Sequence, residues 1–435
     1  MGHYTEEYNK KLTTPQKAVE CIKKGDVIVY GMSVAQPPAL LAAIADRARQ
    51  GNLENIKVYN FLPLEHAMKT VLDPALADRI EGNSWFVGGQ ERGLIRTGLN
   101  YFVPSYLHQV PRMCREFMDI DVCVTTVSPM DRYGFFTFGT ANDLTSTAAR
   151  QSKTLIVEVN ENMPRVFGDS LLHISEVDAI VENHVPILEL KIPATRPEDE
   201  VIGNYIADMI PDGATLQLGI GGLPNVVACS LSGHKDMGVH SELLTEGMID
   251  LIKKGVITGR KKNLNPMKHV FTTASGTKAM YEFMNDNPSI ESYPASYVCA
   301  PGIIAQNDNM IAVNSIIEVD LTGQVNAEFL GGTTFSGTGG QLDFVRGAFD
   351  SKGGKSIHAF YSTAKRGEVS RVVPRMKEGA VVTTPRADTH YLATEYGVVN
   401  LKGKSTRERA HAIIGIAHPK FREWLAREAE NMYLI

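Results

Sequence analysis

The chain has 435 residues, of which 43% are hydrophobic and 21% are charged, and its net charge is −5. This composition is typical of a folded globular protein, and the length predicts two domains rather than one core. The slightly acidic balance argues against binding to nucleic acid or anionic membranes through overall charge, and no apolar run reaches the roughly 20 residues that span a bilayer.

The first residues, MGHYTEEYNKKLTTPQKA, are polar and include acids. They resemble neither a secretory signal nor an Arg-rich transit sequence, so we expect a cytoplasmic protein with no membrane or nucleic-acid partner. The five cysteines are scattered and form no CxxC pair, which disfavours a disulfide framework or a zinc site and predicts no metal. Cys123 and Cys229 lie among apolar residues and are expected in the core.

Two segments of the chain share one layout, Gly25–Pro37 (GDVIVYGMSVAQP) and Gly213–Pro224 (GATLQLGIGGLP). Each runs from a turn glycine through a short apolar strand to a second glycine, Gly31 or Gly219. Each then passes through a loop marked by proline into an apolar predicted helix, and an amphipathic helix precedes each strand. The chain therefore contains the same helix–strand–loop–helix unit twice.

The repetition continues downstream. Residues 122–139 (VCVTTVSPMDRYGFFTFG) and 314–329 (NSIIEVDLTGQVNAEF) each combine an apolar strand, an acidic turn closed by glycine and a further strand. Two similar domains, residues 1–195 and 196–435, are the simplest interpretation. The Pro- and charge-rich segment KIPATRPEDEVIG (191–203) is the predicted joint between them.

Most predicted strands are continuous apolar runs rather than alternating ones, which favours a parallel sheet covered on both faces. The runs are NIKVYNF, VCVTTV, TLIVEV, ATLQLGI, HVFTTA and AVVTT. The predicted fold class is therefore α/β, with two open, mostly parallel sheets. Ligands of such sheets bind beyond the carboxyl ends of the strands, which points to the loops after Gly31, Gly219, Ala274 and Asp320.

The first candidate site is the glycine loop Gly219–Pro224, which follows a strand and opens a helix. Its backbone N–H groups could approach a phosphate or a developing oxyanion. A dinucleotide site would require glycine at position 224, where this chain has Pro224, so that pattern is incomplete. A glycine turn needed only for local backbone geometry remains an alternative.

The second candidate is the segment VHSELLTEGMIDLIKKG (239–255), with Glu242 predicted on a loop after the short strand MGVH. A carboxylate near glycine N–H groups can attack an activated acyl group. Alternatively, Glu242 and Glu246 only complement the dipole of the following helix, and the residues alone favour this second interpretation.

The third candidate is the glycine-rich run 335–344 (FSGTGGQLDF), whose N–H groups could wrap a ligand, although a flexible loop is an alternative. In the following SKGGKS, Lys352 and Lys355 could meet a phosphate or lie in a solvated turn. The histidines show no metal-ligand spacing.

Motifs throughout the chain carry a family resemblance. They are VAQPPALL (34–41), VPRM (110–113), LQLGIGGLPN (216–225), MGVHSELLTEG (237–247), NDNMIAVNSIIEVDLTGQV (307–325), SGTGGQLDFVRGA (336–348), SKGGKS (351–356), TEYGVVNLKGKS (394–405) and AHPKFRE (417–423). Together they resemble the acetyl-CoA hydrolase/transferase family of glutamate-dependent CoA-transferases. The likeness is strongest to 4-hydroxybutyrate CoA-transferases and butyryl-CoA:acetate CoA-transferases. It implies two CoA-transferase-like domains of NagB/RpiA-like architecture, the second carrying the catalytic glutamate.

The resemblance also implies residue roles. Glu242, in the His-Ser-Glu motif, is the implied nucleophile. The implied CoA-binding residues are Gln217, Gly219, Ile220, Gly221, Gly222, Leu223, Ile317, Gly337, Gly339 and Gly340. A histidine is expected after the strand glycine in 4-hydroxybutyrate enzymes, whereas this chain has Met32, so the acid is not identified.

The implied reaction passes CoA from a short-chain acyl-CoA to a carboxylate through a glutamyl-CoA thioester, with ping-pong kinetics. Coenzyme A is then a co-substrate, and no permanently bound cofactor is expected. A thioester hydrolase using the same site, a non-catalytic CoA-binding protein and a sugar-phosphate isomerase of similar fold are the alternatives. A homodimer or homotetramer is expected only as the usual state of such enzymes.

Overall fold

The computed structural model describes residues 3–190, 195–219 and 221–435. The strands, in chain order, are β1 (Val27–Tyr30), β2 (Ile56–Asn60), β3 (Ile80–Ser84), β4 (Asn100–Phe102), β5 (Val122–Val127), β6 (Phe135–Thr137), β7 (Thr154–Val159), β8 (Phe167–Gly168), β9 (Leu171–His173), β10 (Ala179–Glu182), β11 (Thr215–Leu218), β12 (Gly238–Leu244), β13 (His269–Ala274), β14 (Ile290–Ser292), β15 (Met310–Ser315), β16 (Glu318–Asp320), β17 (Val325–Asn326), β18 (Phe329–Leu330), β19 (Thr333–Thr334), β20 (Lys355–Ala359), β21 (Thr363–Ala364), β22 (Val369–Ser370), β23 (Val372–Val373), β24 (Tyr391–Thr394) and β25 (Gly397–Asn400).

The α-helices are α1 (His3–Lys11), α2 (Pro15–Ala18), α3 (Pro38–Arg49), α4 (Glu65–Met68), α5 (Arg92–Thr97), α6 (Val110–Glu116), α7 (Thr145–Gln151), α8 (Pro197–Ala207), α9 (Gly222–Ser230), α10 (Glu246–Lys253), α11 (Lys278–Met284), α12 (Ala295–Val298), α13 (Pro301–Ile304), α14 (Gln341–Asp350), α15 (Thr406–Gly415) and α16 (Pro419–Asn431). Short 3₁₀ helices cover Val19–Cys21, Ser33–Ala35, Pro74–Leu76, Leu107–Gln109 and Ile174–Glu176.

The chain divides into two compact units. The first unit contains Met1–Lys191, Val270–Val298 and Thr334–Gly339, and the second contains Ile192–His269, Cys299–Thr333 and Gly340–Ile435. The predicted domains, residues 1–195 and 196–435, stay a prediction. The two later segments of the first unit were not foreseen, because sequence proximity does not show which unit a returning segment joins.

The first unit is built on a parallel sheet with the strand order β10-β7-β5-β1-β2-β3-β4. All six residues of β5 are buried, as expected for an apolar strand covered on both faces. Helix α3 begins at Pro38, within the first helical turn, where proline needs no backbone N–H partner. Its apolar face packs into a core that includes Leu40, Ile44, Ile28 and Val124.

The second unit repeats the arrangement with the order β25-β24-β20-β15-β11-β12, in which only the outer pair β24 and β25 is antiparallel among the described strands. Strand β11 lies between β12 and β15, just as β1 lies between β2 and β5 in the first unit. The predicted α/β class with two open, mostly parallel sheets is confirmed.

The predicted acidic turns occupy equivalent places in the two units. Asp131, after β5, accepts hydrogen bonds on Oδ1 from the backbone N–H groups two and four residues further along. Asp320, at the end of β16, does the same. Gly134 and Gly323 follow with φ of 86° and 95°, the left-handed region that favours glycine. The repetition read from the sequence is therefore structural.

Three local predictions were wrong. AVVTT (380–384) forms no strand: Val381 and Val382 are 40% and 37% exposed, so no buried face fixes them. Glu242 does not lie on a loop, because β12 continues to Leu244. Cys229 is exposed on α9 rather than buried, although Cys123 is buried as expected.

Candidate active site

The candidate site of the second unit is built around Glu242, near the carboxyl end of β12. This strand begins with buried residues and becomes half-buried at Glu242. Thr245 then caps α10 by accepting a 3.4 Å hydrogen bond from Met248 N–H. Glu246 is the first residue of this helix, so it has the position that a helix dipole favours for an acid. Glu242 precedes the helix by several residues and is placed by the strand instead.

Gly340 lies directly against the carboxylate of Glu242. Its backbone N–H donates a 2.8 Å hydrogen bond to Oε2 of Glu242. Gly340 is the N-cap residue of α14, where backbone N–H groups point out of the helix and carry partial positive charge. A Cβ atom at this position would overlap Oε2 and lie 3.4 Å from Sγ of Cys299. The position therefore requires glycine so that the backbone can reach the carboxylate.

The glycine loop follows β11, beside β12. Gly219 N–H donates a 2.9 Å hydrogen bond to Val313 O, which extends the pairing of β11 with β15 by one residue. Gly221 has φ of 131°, a conformation that side chains rarely adopt, and α9 begins at Gly222. Leu223 is buried. Ile220, also predicted to bind CoA, lies outside the described residues.

Other predicted CoA-binding residues are distributed over both units. Gln217 is buried on β11, and half-buried Ile317 donates its backbone N–H to Asn326 O at 2.9 Å. Gly337 and Gly339 belong to the first unit. A Cβ on Gly337 would lie 3.0 Å from Trp85 O. Gly339 has φ of 53°. These placements leave their predicted roles as predictions.

The two lysines of SKGGKS lie at the amino end of β20, whereas Glu242 is near the carboxyl end of β12. Lys355 is the first residue of β20, and its Nζ donates a 2.7 Å hydrogen bond to Met209 O. Lys352 precedes it in the turn. Because the strands of this sheet run parallel, these lysines are at the opposite edge from Glu242. A role for Lys355 in structural support is therefore a better interpretation than phosphate binding at the site.

In the first unit, helix α3 corresponds to helix α9, which follows the glycine loop of the second unit. The N-terminus of α3 is occupied by a carboxylate of the chain itself. Oε2 of Glu158 accepts hydrogen bonds of 3.0 Å from the N–H groups of Ala39 and Leu40, in the first turn of α3. Asn183 donates to the other oxygen at 2.7 Å. Burial raises the pKa of Glu158 to about 7, against the effect of these hydrogen bonds. An internal carboxylate thus occupies the place where an anionic ligand would otherwise meet the helix.

Residues 1–189 match the profile of the acetyl-CoA hydrolase/transferase N-terminal domain, and residues 276–429 match that of the C-terminal domain. The chain belongs to the acetyl-CoA hydrolase/transferase family.

Relatives in this family match along their whole length. The chain is 42% identical to the 4-hydroxybutyrate coenzyme A transferase of Clostridium kluyveri, covering 99% of this chain and 100% of that protein. It is also 42% identical to the butyryl-CoA:acetate CoA-transferase of Anaerostipes caccae, covering 98% of each. The crystal structure of RipA from Yersinia pestis superimposes with a TM-score of 0.97 at 49% identity, covering 99% of this chain and 100% of RipA.

Three polar residues near the site of this family member were assigned no individual role from its sequence. Asn314 pairs with Gln217, and Gln341 donates a 3.3 Å hydrogen bond from Nε2 to Ser315 O. His358 is buried on β20, and burial lowers its pKa to about 4, so the imidazole is neutral at physiological pH. For Asn314 and His358 the available signal was a polar residue within a mostly buried strand, whereas Gln341 already lay in the candidate run 335–344.

Two further findings concern the described part of the chain. No helix within it is both long and apolar enough to cross a membrane. The same residues contain no cluster of three or more His, Cys, Asp or Glu side chains arranged to hold a metal ion.

Proposed function

We propose that this protein transfers coenzyme A from a short-chain acyl-CoA to a carboxylic acid, with Glu242 as the nucleophile. The observation that carries the proposal is the hydrogen bond from Gly340 N–H to the Glu242 carboxylate. The named relatives, which act on 4-hydroxybutyrate or on butyryl-CoA and acetate, support acids of that class. We also expect a cytoplasmic homodimer or homotetramer with CoA as co-substrate and no permanently bound cofactor.

The proposed reaction consists of two exchanges at one carboxylate. A Glu242 oxygen adds to the thioester carbonyl, and the C–S bond breaks to give an acyl-glutamyl anhydride and CoA thiolate. The thiolate then adds to the glutamyl carbonyl, and the first acid leaves as a carboxylate. The product is a glutamyl-CoA thioester. The second acid then reacts with this thioester through the same steps in reverse, which gives the new acyl-CoA and frees Glu242. No proton is consumed overall, and ping-pong kinetics follow.

Gly340 has a defined role in this sequence. When thiolate adds to the glutamyl carbonyl, negative charge develops on the carbonyl oxygen derived from the Glu242 carboxylate. An N–H group already 2.8 Å from Oε2 is placed to stabilise that charge if Oε2 becomes this oxygen. Loss of one such donor typically costs ~2.7–4 kcal/mol of transition-state stabilisation. The helix dipole of α14 adds to the effect because the donor is at the N-terminus.

The second unit is the better place for CoA. Its glycine loop of Gly219, Ile220, Gly221, Gly222 and Leu223 opens α9 after the strand neighbouring that of Glu242. The equivalent helix α3 of the first unit already binds the carboxylate of Glu158. Repulsion from this buried carboxyl, once ionised, would oppose a phosphate there. We infer that Ile317 completes the CoA contacts of this unit and that Gln217 supports them. Gly337 and Gly339 remain predicted CoA contacts.

The family also includes hydrolases, so acceptor dependence tests the proposal. Purified protein is given butyryl-CoA with and without acetate, and both butyryl-CoA loss and acetyl-CoA formation are followed. We expect acetyl-CoA to form in step with butyryl-CoA loss, and little CoA release without acetate. CoA release that is independent of acetate would establish the hydrolase instead.

A matched pair of variants tests the nucleophile. Glu242→Gln keeps the shape of the side chain but removes the nucleophilic carboxylate, so turnover should fall by about 10³-fold or more. Glu246→Gln makes the same chemical change at the start of α10 and should retain most activity. Full turnover by Glu242→Gln, or equal losses in the two variants, would contradict the assignment.

A further inference from the structure

Two buried amides face each other across the strands that lead into the glycine loop. Nε2 of Gln217 donates a 3.1 Å hydrogen bond to Oδ1 of Asn314, and Nδ2 of Asn314 donates a 3.0 Å hydrogen bond to Oε1 of Gln217. Their exposed fractions are only 2% and 7%. Each amide therefore satisfies the other in a reciprocal pair, within strands whose other residues are mostly apolar.

Strand pairing does not require this arrangement. Residues Thr215–Leu218 of β11 already pair with Met310–Val313 of β15 through their backbones. Buried polar groups are costly unless they are paired, and an apolar pair of similar shape would hold the two strands at least as well. The amide pair thus needs an explanation beyond the stability of the sheet.

The position of the pair provides one. Asn314 Oδ1 would lie 2.9 Å from a Cβ placed on Gly219, so the amide packs directly against the first residue of the glycine loop. Asn314 lies near the end of β15, and Ile317 follows three residues later in the segment that leaves this strand. One hydrogen-bonded pair is therefore in place to fix the starting points of two segments that we assign to CoA binding.

We propose that Gln217 and Asn314 are positioning residues that hold the glycine loop and the segment leading to Ile317 in the arrangement that binds CoA. This inference rests on the proposed function and deepens it, because it distinguishes the residues that contact CoA from those that hold the contacting residues in place. Gln217 acts through Asn314 and the loop, whereas Gly340 acts on Glu242. Loss of the pair should therefore weaken CoA binding more than it slows the exchange at saturating substrate.

The test compares variants that separate positioning from folding. Asn314→Leu leaves Gln217 without its amide partner, so both thermal stability and CoA binding should decrease. The double variant Gln217→Met and Asn314→Leu removes both amides with little change of shape, so its Tm should return close to the wild-type value. Its Kd for CoA, measured by titration calorimetry, should stay weaker by about tenfold or more because the loop is no longer preorganised.

Steady-state kinetics add a second readout. The double variant should show a raised KM for butyryl-CoA with a nearly unchanged kcat, whereas the exposed substitution Gln306→Met should change neither. If the double variant does not fold, Gln217→Asn, which is shorter by one methylene, is judged by the same two readouts. If a folded variant keeps the wild-type Kd and KM, the pair has a purely structural role. That result would overturn this inference but leave the proposed function intact. A wild-type protein that does not bind CoA would overturn the proposed function as well.

Discussion

The contact between Gly340 and Glu242 can be disrupted by a single methyl group. In Gly340→Ala the added Cβ would overlap Oε2 of Glu242 and lie 3.4 Å from Sγ of Cys299. The backbone at this position has φ of −91° and ψ of 6°, in the bridge region that residues with a side chain can adopt, and not in the left-handed region that favours glycine. The overlapped atom is the tip of a flexible side chain, so the carboxylate can turn away at little cost to folding. Its reactive position is then lost.

The expected magnitudes separate activity from stability. The displaced carboxylate loses its 2.8 Å hydrogen bond to Gly340 N–H. Removal of one donor of this kind costs ~2.7–4 kcal/mol, which corresponds to a fall in kcat of about 10²–10³-fold. Substitution of alanine for glycine at an N-cap position changes the free energy of unfolding by only about 1 kcal/mol or less.

The assay measures kcat with butyryl-CoA and acetate alongside thermal unfolding. Gly302→Ala is the matched control, because a Cβ at Gly302 meets no atom within 4 Å. We expect Gly340→Ala to be folded but nearly inactive and Gly302→Ala to be active. A folded Gly340→Ala whose kcat remains within about threefold of the wild type would refute the reasoning, since such a change is under 1 kcal/mol in activation free energy.

Two further predictions concern packing and pH. In Gly347→Ala the new Cβ would lie 2.5 Å from Cβ of Ile304, so α14 must move away from α13. The free energy of unfolding, measured in urea, should therefore fall by about 1–3 kcal/mol. Gly302→Ala, whose new Cβ meets no atom within 4 Å, should show no such loss. In the folded protein the pKa of Glu158 is about 7, above its ordinary value of 4.5. Ionisation of Glu158 therefore lowers the free energy of unfolding of the wild type as the pH rises from 4.5 to 7. Glu158→Gln lacks this titration, so its stability relative to the wild type should rise by about 3 kcal/mol from pH 4.5 to 7.5. Parallel stability profiles of the two proteins would contradict the assigned pKa.

The parallel strands were the most predictable part of the fold. Strands such as β5 and β7 are buried on both faces, so their sequences are continuous apolar runs that are easily recognised. The same rule failed for AVVTT, because an apolar run does not show whether another element will cover it. The strand β12 was predicted to end at His240 because the polar residues Ser241 and Glu242 interrupt its apolar pattern, even though Ser241 is buried.

The candidate site was only partly predictable. The carboxylate and the glycine loops were identified as motifs, but Glu242 and Gly340 are 98 positions apart in the chain. Their contact depends on the packing of α14 in the second unit, which no local pattern encodes. The register of β11 and β15 pairs Gln217 with Ala312 and brings the amide of Asn314, two residues further along β15, within hydrogen-bonding distance of Gln217. The role of Asn314 became apparent only from this arrangement.

The most direct test of the proposed mechanism is to trap the covalent intermediate. The wild-type protein is incubated with butyryl-CoA alone, reduced with borohydride, digested and analysed by mass spectrometry, with Glu242→Gln and Glu246→Gln treated in parallel. The mechanism predicts that Glu242 is converted to an alcohol in the wild type and in Glu246→Gln, only when acyl-CoA is present. Reduction at a different residue, or turnover of butyryl-CoA with acetate in a protein that shows no modified glutamate, would contradict the central claim.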